Sequence, residues 1–159
     1  MIDSRHSADA LTDAWLEGGP GAVAIGRNVD RLLDAVRRHL DMDVAFVSEF
    51  HGHHRVFRHV ATRLDRAPIR PGDSSPLDEG YCVRVVEGRI PQLIPDTAAI
   101  PALECIPETR NVPIGSHISV PIQLRDGRVY GTFCCFSVAQ TFGMYQQGSF
   151  FKAFGHIAK

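Results

Sequence analysis

At 159 residues and 17.5 kDa the chain has the length of one domain, or of two small ones at most. Apolar residues make up 44% and charged residues 22%, globular proportions that exclude a disordered chain. Seventeen Lys and Arg against eighteen Asp and Glu leave a net charge of −1, without the basic excess a nucleic-acid partner calls for. No apolar run approaches the ~18 residues of a membrane span, and the polar start MIDSRHSADALTD lacks the core of a secretory signal. The expected setting is cytoplasmic, with the four cysteines as thiols.

Residues 1–21 are polar and close on the breaker cluster Gly18-Gly19-Pro20-Gly21, so a flexible or partly helical segment around Leu11, Ala14 and Trp15 is expected ahead of a domain over 22–159. From Ala22 to Leu40 the residues Ile25, Val29, Leu32, Leu33, Val36 and Leu40 form one helical apolar stripe. Arg27, Asp30, Arg31, Asp34, Arg37 and Arg38 line its other side. The period then changes. Val44–Phe50 and Val56–Thr62 read as strands joined by a turn at His51-Gly52-His53-His54. Residues 64–80 are rich in Pro, Gly, Asp and Ser and read as loop, followed by a short helix over Tyr81–Glu87 that Gly88 closes. Ile90–Ile94 reads as a brief edge strand marked by Pro91. The excursion through Pro101, Pro107 and Pro113 is a long loop of the kind that tends to carry function.

Ile118, Val120, Ile122 and Leu124 alternate with Ser119, Pro121 and Gln123, and Asp126-Gly127 signals a type I′ hairpin returning through Val129–Val138. A two-residue turn sets Ile118 opposite Cys135, Val120 opposite Phe133 and Leu124 opposite Val129, an aliphatic face suited to packing under helices. The other face carries His117, Ser119, Gln123, Tyr130, Thr132, Cys134 and Phe136, a polar and aromatic mixture suited to a pocket. A last amphipathic helix holds Phe150, Phe151, Phe154, Ile157 and Ala158 and stops at Lys159 without a cap, as if cut from a longer chain. Its aromatic surface, with Trp15, Leu11 and Leu16 upstream, predicts a parallel homodimer through the terminal helices.

Pro76-Leu77-Asp78-Glu79-Gly80-Tyr81-Cys82-Val83-Arg84, Ile94-Pro95-Asp96, Ile114-Gly115-Ser116-His117-Ile118-Ser119-Val120-Pro121-Ile122 and Asp126-Gly127-Arg128-Val129-Tyr130-Gly131-Thr132-Phe133-Cys134-Cys135-Phe136-Ser137 together resemble the GAF domain. The run of Tyr130-Gly131-Thr132 into Cys134-Cys135-Phe136-Ser137 is similar to GAF modules upstream of diguanylate cyclase or EAL phosphodiesterase domains. The resemblance implies an α+β fold: a central antiparallel sheet, N- and C-terminal helices on one face, and a small-molecule pocket on the other. It implies a sensor of cyclic di-GMP signalling that binds a ligand and reports to an output domain further along a parent chain. The chain lacks the Asn-Lys pair of cyclic-nucleotide-binding members, and no cysteine here precedes a His or follows Asp-x, which disfavours a covalent bilin. The cofactor stays unknown. A haem held by His117 or His59 is compatible with such a fold, although no motif demands it.

The ligand-binding candidates are Tyr81, Cys82, Asp96, His117, Ser119, Tyr130, Thr132, Cys134 and Phe136. His117 opens a strand on the pocket face, where it serves equally as a ligand contact or a partner for an internal carbonyl. Asp96 either touches ligand or caps the next turn. Cys82 and Cys105 carry an enzymatic alternative, since free methionine-(R)-sulfoxide reductases of the GAF type use one loop cysteine to attack and a second to resolve. Glu104 beside Cys105 works against a thiolate there. Cys134 and Cys135 point to opposite faces of a strand, cannot bind one ion together, and read as packing. His51, His53 and His54 read as a solvated turn without a fourth metal ligand beside them. No paired carboxylates, phosphate loop or nucleophile elbow occur, so the expected module performs no chemistry.

Overall fold

A computed structural model describes residues 20–139 of the chain. It opens on helix α1, Pro20–His39, with proline at the first turn where a missing N–H costs nothing. The apolar stripe docks as its spacing predicts, with Leu33 and Leu40 buried and Val29 and Val36 packed beside them. Leu32 departs from the stripe and is 61% exposed, because Leu33, about 100° further round the helix, takes the inward position. Arg37 departs the other way. It is buried, and its guanidinium bonds Asp34 Oδ1 at 2.8 Å and the Met42 carbonyl at 3.3 Å beyond the helix end. There the chain reverses through Asp41 (φ 50), with Met42 N–H on the Arg37 carbonyl at 2.9 Å and Asp41 N–H on that of Arg38 at 3.1 Å.

Strands β1, Val44–His51, and β2, His54–Thr62, form the expected hairpin across Gly52 (φ 59). A long loop then reaches β3, Ser74–Pro76, a 3₁₀ turn at Leu77–Glu79 and helix α2, Tyr81–Val86. After β4, Leu93–Ile94, come two further 3₁₀ turns, Thr97–Ala99 and Pro101–Cys105, and helix α3, Pro107–Asn111. Strands β5, Ser116–Gln123, and β6, Val129–Ser137, complete one six-stranded antiparallel sheet in the order β3-β2-β1-β6-β5-β4. The fold is α+β, and β4 stands at the edge that Pro91 signalled.

The two-residue alternation of strands divides the core in two. Ala45, Ile118 and Cys135, with Val47, Val120 and Phe133, pack under α1. Val44, Phe46, Cys134 and Phe136 face the other way, where α2 and the 97–114 excursion supply Tyr81, Cys82, Leu103, Ile106 and Ile114. Cys134 and Cys135 thus fall in different clusters.

The β5–β6 register holds from Ile118–Cys135 through Ile122–Gly131 and then slips, so that Gln123 faces Val129. Leu124 is exposed and does not join the layer under α1. The cause is the turn. Gly127 alone takes a positive φ (85), its N–H bonds the Leu124 carbonyl at 2.9 Å, and Leu124 N–H bonds the Arg128 carbonyl at 2.8 Å. This is a three-residue loop closed by a left-handed glycine, whereas type I′ needs two positive φ values. The helix predicted over 150–158, its phenylalanines, and Leu11, Trp15 and Leu16 lie outside the described residues. Among the described residues no helix is long and apolar enough to cross a membrane.

Candidate functional site

The face of the sheet away from α1 holds a buried polar line inside an aromatic shell. It starts at Arg55, which β2 places in phase with Phe57, so strand alternation carries a guanidinium inward. Arg55 is 3% exposed, and its Cζ lies 4.9 Å from the Phe57 ring centre. A charge so placed needs a partner for each donor edge. Nε bonds Ser75 Oγ at 2.8 Å, Nη1 meets Cys82 Sγ at 3.0 Å, and Nη2 pairs with Glu108 Oε1. The other Glu108 oxygen accepts the Tyr81 N–H at 2.8 Å, one of the N–H groups at the start of α2 that lack a partner within the helix. One carboxylate therefore ties α3, α2 and β2 together. A Cβ at Gly80 would stand 2.8 Å from the Arg55 guanidinium carbon, so a side chain there would have to displace Arg55 from this arrangement.

From Cys82 the line crosses to β6. Cys82 Sγ lies 3.4 Å from Cys134 Sγ, which in turn has Ser119 Oγ at 3.1 Å and Thr132 Oγ1 at 3.2 Å. Thr132 and Ser48 hydroxyls meet at 2.9 Å. The hydrogen bond from Cys134 holds the Cys82 thiol well below its ordinary range against the opposing effect of burial, and Arg55 adds to it. Burial pushes Cys134 well above that range, reinforced by the Cys82 sulfur. The two sulfurs are thus in contact with their acidities pushed apart, Cys82 toward the thiolate and Cys134 toward the thiol.

Tyr81 donates its hydroxyl to Thr109 Oγ1 at 2.7 Å, since Thr109 spends its own proton on the Leu103 carbonyl at 2.7 Å. The Tyr81 ring lies 4.8 Å from that of His117, tilted by 40°. His117, opposite Ile94 on one side and Phe136 on the other, is 2% exposed and its Nδ1 has no hydrogen-bond partner among the described residues. Burial pushes its pKa down to about 4, with Glu108 opposing and Arg55 adding. Because the folded value lies below the unfolded one, stability is intact above pH ~6.5 and drains as pH falls toward about 4. The expected loss is about 3 kcal/mol across that window. Urea midpoints measured from pH 7 to 4 should show this slope, and His117→Phe should flatten it.

Beside Phe136, the chain leaves a groove of about 510 Å³ lined by Leu64, Arg66, Pro68, Val112, Phe136 and Val138 among others. Its walls are the loop after β2 and the segment between α3 and β5.

Tyr81, Cys82, His117, Ser119, Thr132 and Cys134 thus come together, with Phe136 at the groove. Asp96 does not join them, and its carboxylate accepts the Ala98 N–H at 2.9 Å as the cap of the Thr97–Ala99 turn. Tyr130 sits where the register slips and sends its hydroxyl to Glu49 at 3.3 Å instead of to the Thr132–Cys134 line. Cys105 is exposed at the end of its 3₁₀ turn, whereas the sulfur next to Cys82 belongs to Cys134. Sequence reading passed over Arg55, Glu108 and Ser48. Arg55 carries a signal, since it stands between the expected turn at His51–His54 and the expected strand from Val56, two residues before Phe57 and so in phase with it.

A family model described as GAF domain matches residues 28–158. No curated protein matches the chain. Among solved structures, the chain is similar to the blue-light absorbing form of the Thermosynechococcus elongatus PixJ GAF domain, at 16% identity and a TM-score of 0.63, covering 89% of this chain and 84% of that one. The GAF domain from Acinetobacter phosphoenolpyruvate-protein phosphotransferase aligns at 15% identity and a TM-score of 0.60, over 98% of this chain and 92% of that one. The type II free methionine-R-sulfoxide reductase from Thermoplasma acidophilum aligns at 14% identity and a TM-score of 0.55, over 84% and 89%. At such identities these likenesses speak for the fold. With the sheet, its two unequal faces and the match over 28–158 in agreement, the chain belongs to the GAF domain family.

Proposed function

We propose that this GAF domain is a sensor module that takes a small, flat, largely apolar molecule on the sheet face away from α1 and signals its presence to an attached output domain. The observation that carries the reading is His117. A buried ring nitrogen without a partner is costly to the protein alone and is resolved by a ligand that supplies the hydrogen bond. Its cross-strand neighbour Phe136 lines the groove, so the nitrogen lies one strand from an opening on the surface. Tyr81, Ser119, Thr132 and Cys134 complete the ligand's surroundings once the segments over that face move apart. Arg55 is fully engaged with Ser75, Cys82 and Glu108, which favours an uncharged ligand over an anion.

The output in this reading is a cyclic-dinucleotide turnover domain in a longer parent chain, supported by the Tyr130-Gly131-Thr132 and Cys134-Cys135-Phe136-Ser137 run. Transmission runs through the terminal helices of a homodimer. The exposed Val23 and Leu32 of α1 support that contact. The alternative in which Cys82 and Cys105 act as a reductase pair has less behind it, since Cys105 is exposed and the Cys82 sulfur already faces Cys134.

A thermal-melting screen of the purified chain against a fractionated small-molecule extract of its host cells tests the reading. One fraction should raise Tm by about 5–10 °C at concentrations near 100 Kd, and His117→Leu should abolish that rise while leaving the protein folded. A wild-type melt that no fraction moves would count against it.

A further inference from the structure

We propose that Cys82 and Cys134 are a reversible dithiol–disulfide pair that a peroxide oxidises, a modification that requires no bound ligand. The two sulfurs lie 3.4 Å apart with no atom between them, about 1.4 Å beyond the bonded distance. They come from different elements, α2 and β6, separated by 52 residues, so the contact is a product of the fold and not of sequence neighbourhood. The surroundings differentiate their roles. Arg55 Nη1, at 3.0 Å, and the Cys134 thiol itself both stabilise a thiolate on Cys82. Ser119 and Thr132 hydroxyls fix the Cys134 sulfur at 3.1 and 3.2 Å, while burial and the neighbouring Cys82 sulfur disfavour its ionisation. This is the division that disulfide formation uses, one sulfur attacking and one resolving.

The Cys82 thiolate attacks one oxygen of hydrogen peroxide; the O–O bond breaks, a sulfenic acid forms on Cys82 and hydroxide leaves. The Cys134 sulfur then attacks the Cys82 sulfur; the S–O bond breaks, the S–S bond forms, and the departing oxygen takes the Cys134 proton and leaves as water. Two thiol sulfurs are oxidised and one peroxide is reduced. Both sulfurs are buried, so peroxide reaches them through local opening of the α2 face, more slowly than it reaches the exposed Cys105. The product would tie α2 covalently to β6, on the face whose segments must part for a ligand to enter. Cys135, one residue away, lies on the opposite face of the sheet under α1 and takes no part.

The test uses the full chain with Cys105→Ser, which removes the exposed thiol and keeps three of the four cysteines. After hydrogen peroxide, denaturation and N-ethylmaleimide, mass spectrometry should show additions falling from three to one, and proteolysis should release a linked peptide pair holding Cys82 and Cys134. Dithiothreitol should restore all three additions. Cys135→Ala in that background should keep the link, and Cys134→Ser, checked for an unchanged melt, should abolish it. Full alkylation of Cys82 after peroxide would overturn the proposal. So would a link from Cys82 to Cys135, or to Cys105 in the wild-type chain.

Discussion

Glu108→Ala is expected to destabilise the chain by about 3–5 kcal/mol, because it strands a buried guanidinium. The Arg55 side chain is 3% exposed, its Nη2 has Glu108 as its carboxylate partner, and the same carboxylate satisfies the Tyr81 N–H. Removing it takes the carboxylate from the Nη2 edge of a buried cation and leaves a helix-terminal donor unpaired in low dielectric. The ion pairs at the surface set the contrast. Arg128–Asp126 and Arg89–Glu87 are half exposed or more, and their loss should cost about 0.2–1 kcal/mol. The double variant Arg55→Met/Glu108→Leu should recover most of the single-variant loss, since a desolvated pair gains little over an apolar one of similar volume. Urea unfolding of the wild type, the single and the double variants measures all three values. A Glu108→Ala loss below about 1 kcal/mol would show that Arg55 does not depend on this partner.

Gly131→Ala is expected to cost about 3 kcal/mol or more, at or above the upper end of ordinary overpacking. A Cβ built on Gly131 would stand 1.9 Å from the Ser48 carbonyl oxygen and 2.8 Å from its carbon. These are backbone atoms of the neighbouring strand, so no rotamer change relieves the clash. β1 and β6 would have to separate at the Glu49–Gly131 pair, next to the Ser48–Thr132 hydroxyl contact. Gly127→Ala is the comparison. It meets open space and suffers only from a φ of 85, a strain of about 1–2 kcal/mol. Equal losses for the two variants, by urea midpoint, would mean that the sheet accommodates the methyl group at Gly131.

Much of the fold was legible because it rests on local periodicity. The α1 stripe and the alternation of β5 and β6 depend on neighbours within a few residues, and these placed Ile118, Val120 and Phe133 on one face and His117, Cys134 and Phe136 on the other. The turn at Gly127 was misread because the same Asp-Gly pair suits both a two-residue and a three-residue loop, and hydrogen bonds at its ends decide between them. The candidate site was legible only in part. Arg55 reaches Glu108 across 53 residues and Cys82 reaches Cys134 across 52, and no spacing rule connects such positions. Cys105 stands out in the sequence through the resemblance of the Cys82 and Cys105 pair to GAF-type methionine-sulfoxide reductases, yet the excursion that holds it supplies Leu103 and Ile106 to the core and leaves Cys105 outside.

Native mass spectrometry of the chain purified without denaturation tests the proposal that the face behind His117 takes up a small molecule. The result expected is a species heavier than the 17.5 kDa chain by one defined small-molecule mass, released on unfolding and absent from the His117→Leu protein. A bare mass in every preparation, or an adduct that His117→Leu retains unchanged, would contradict it.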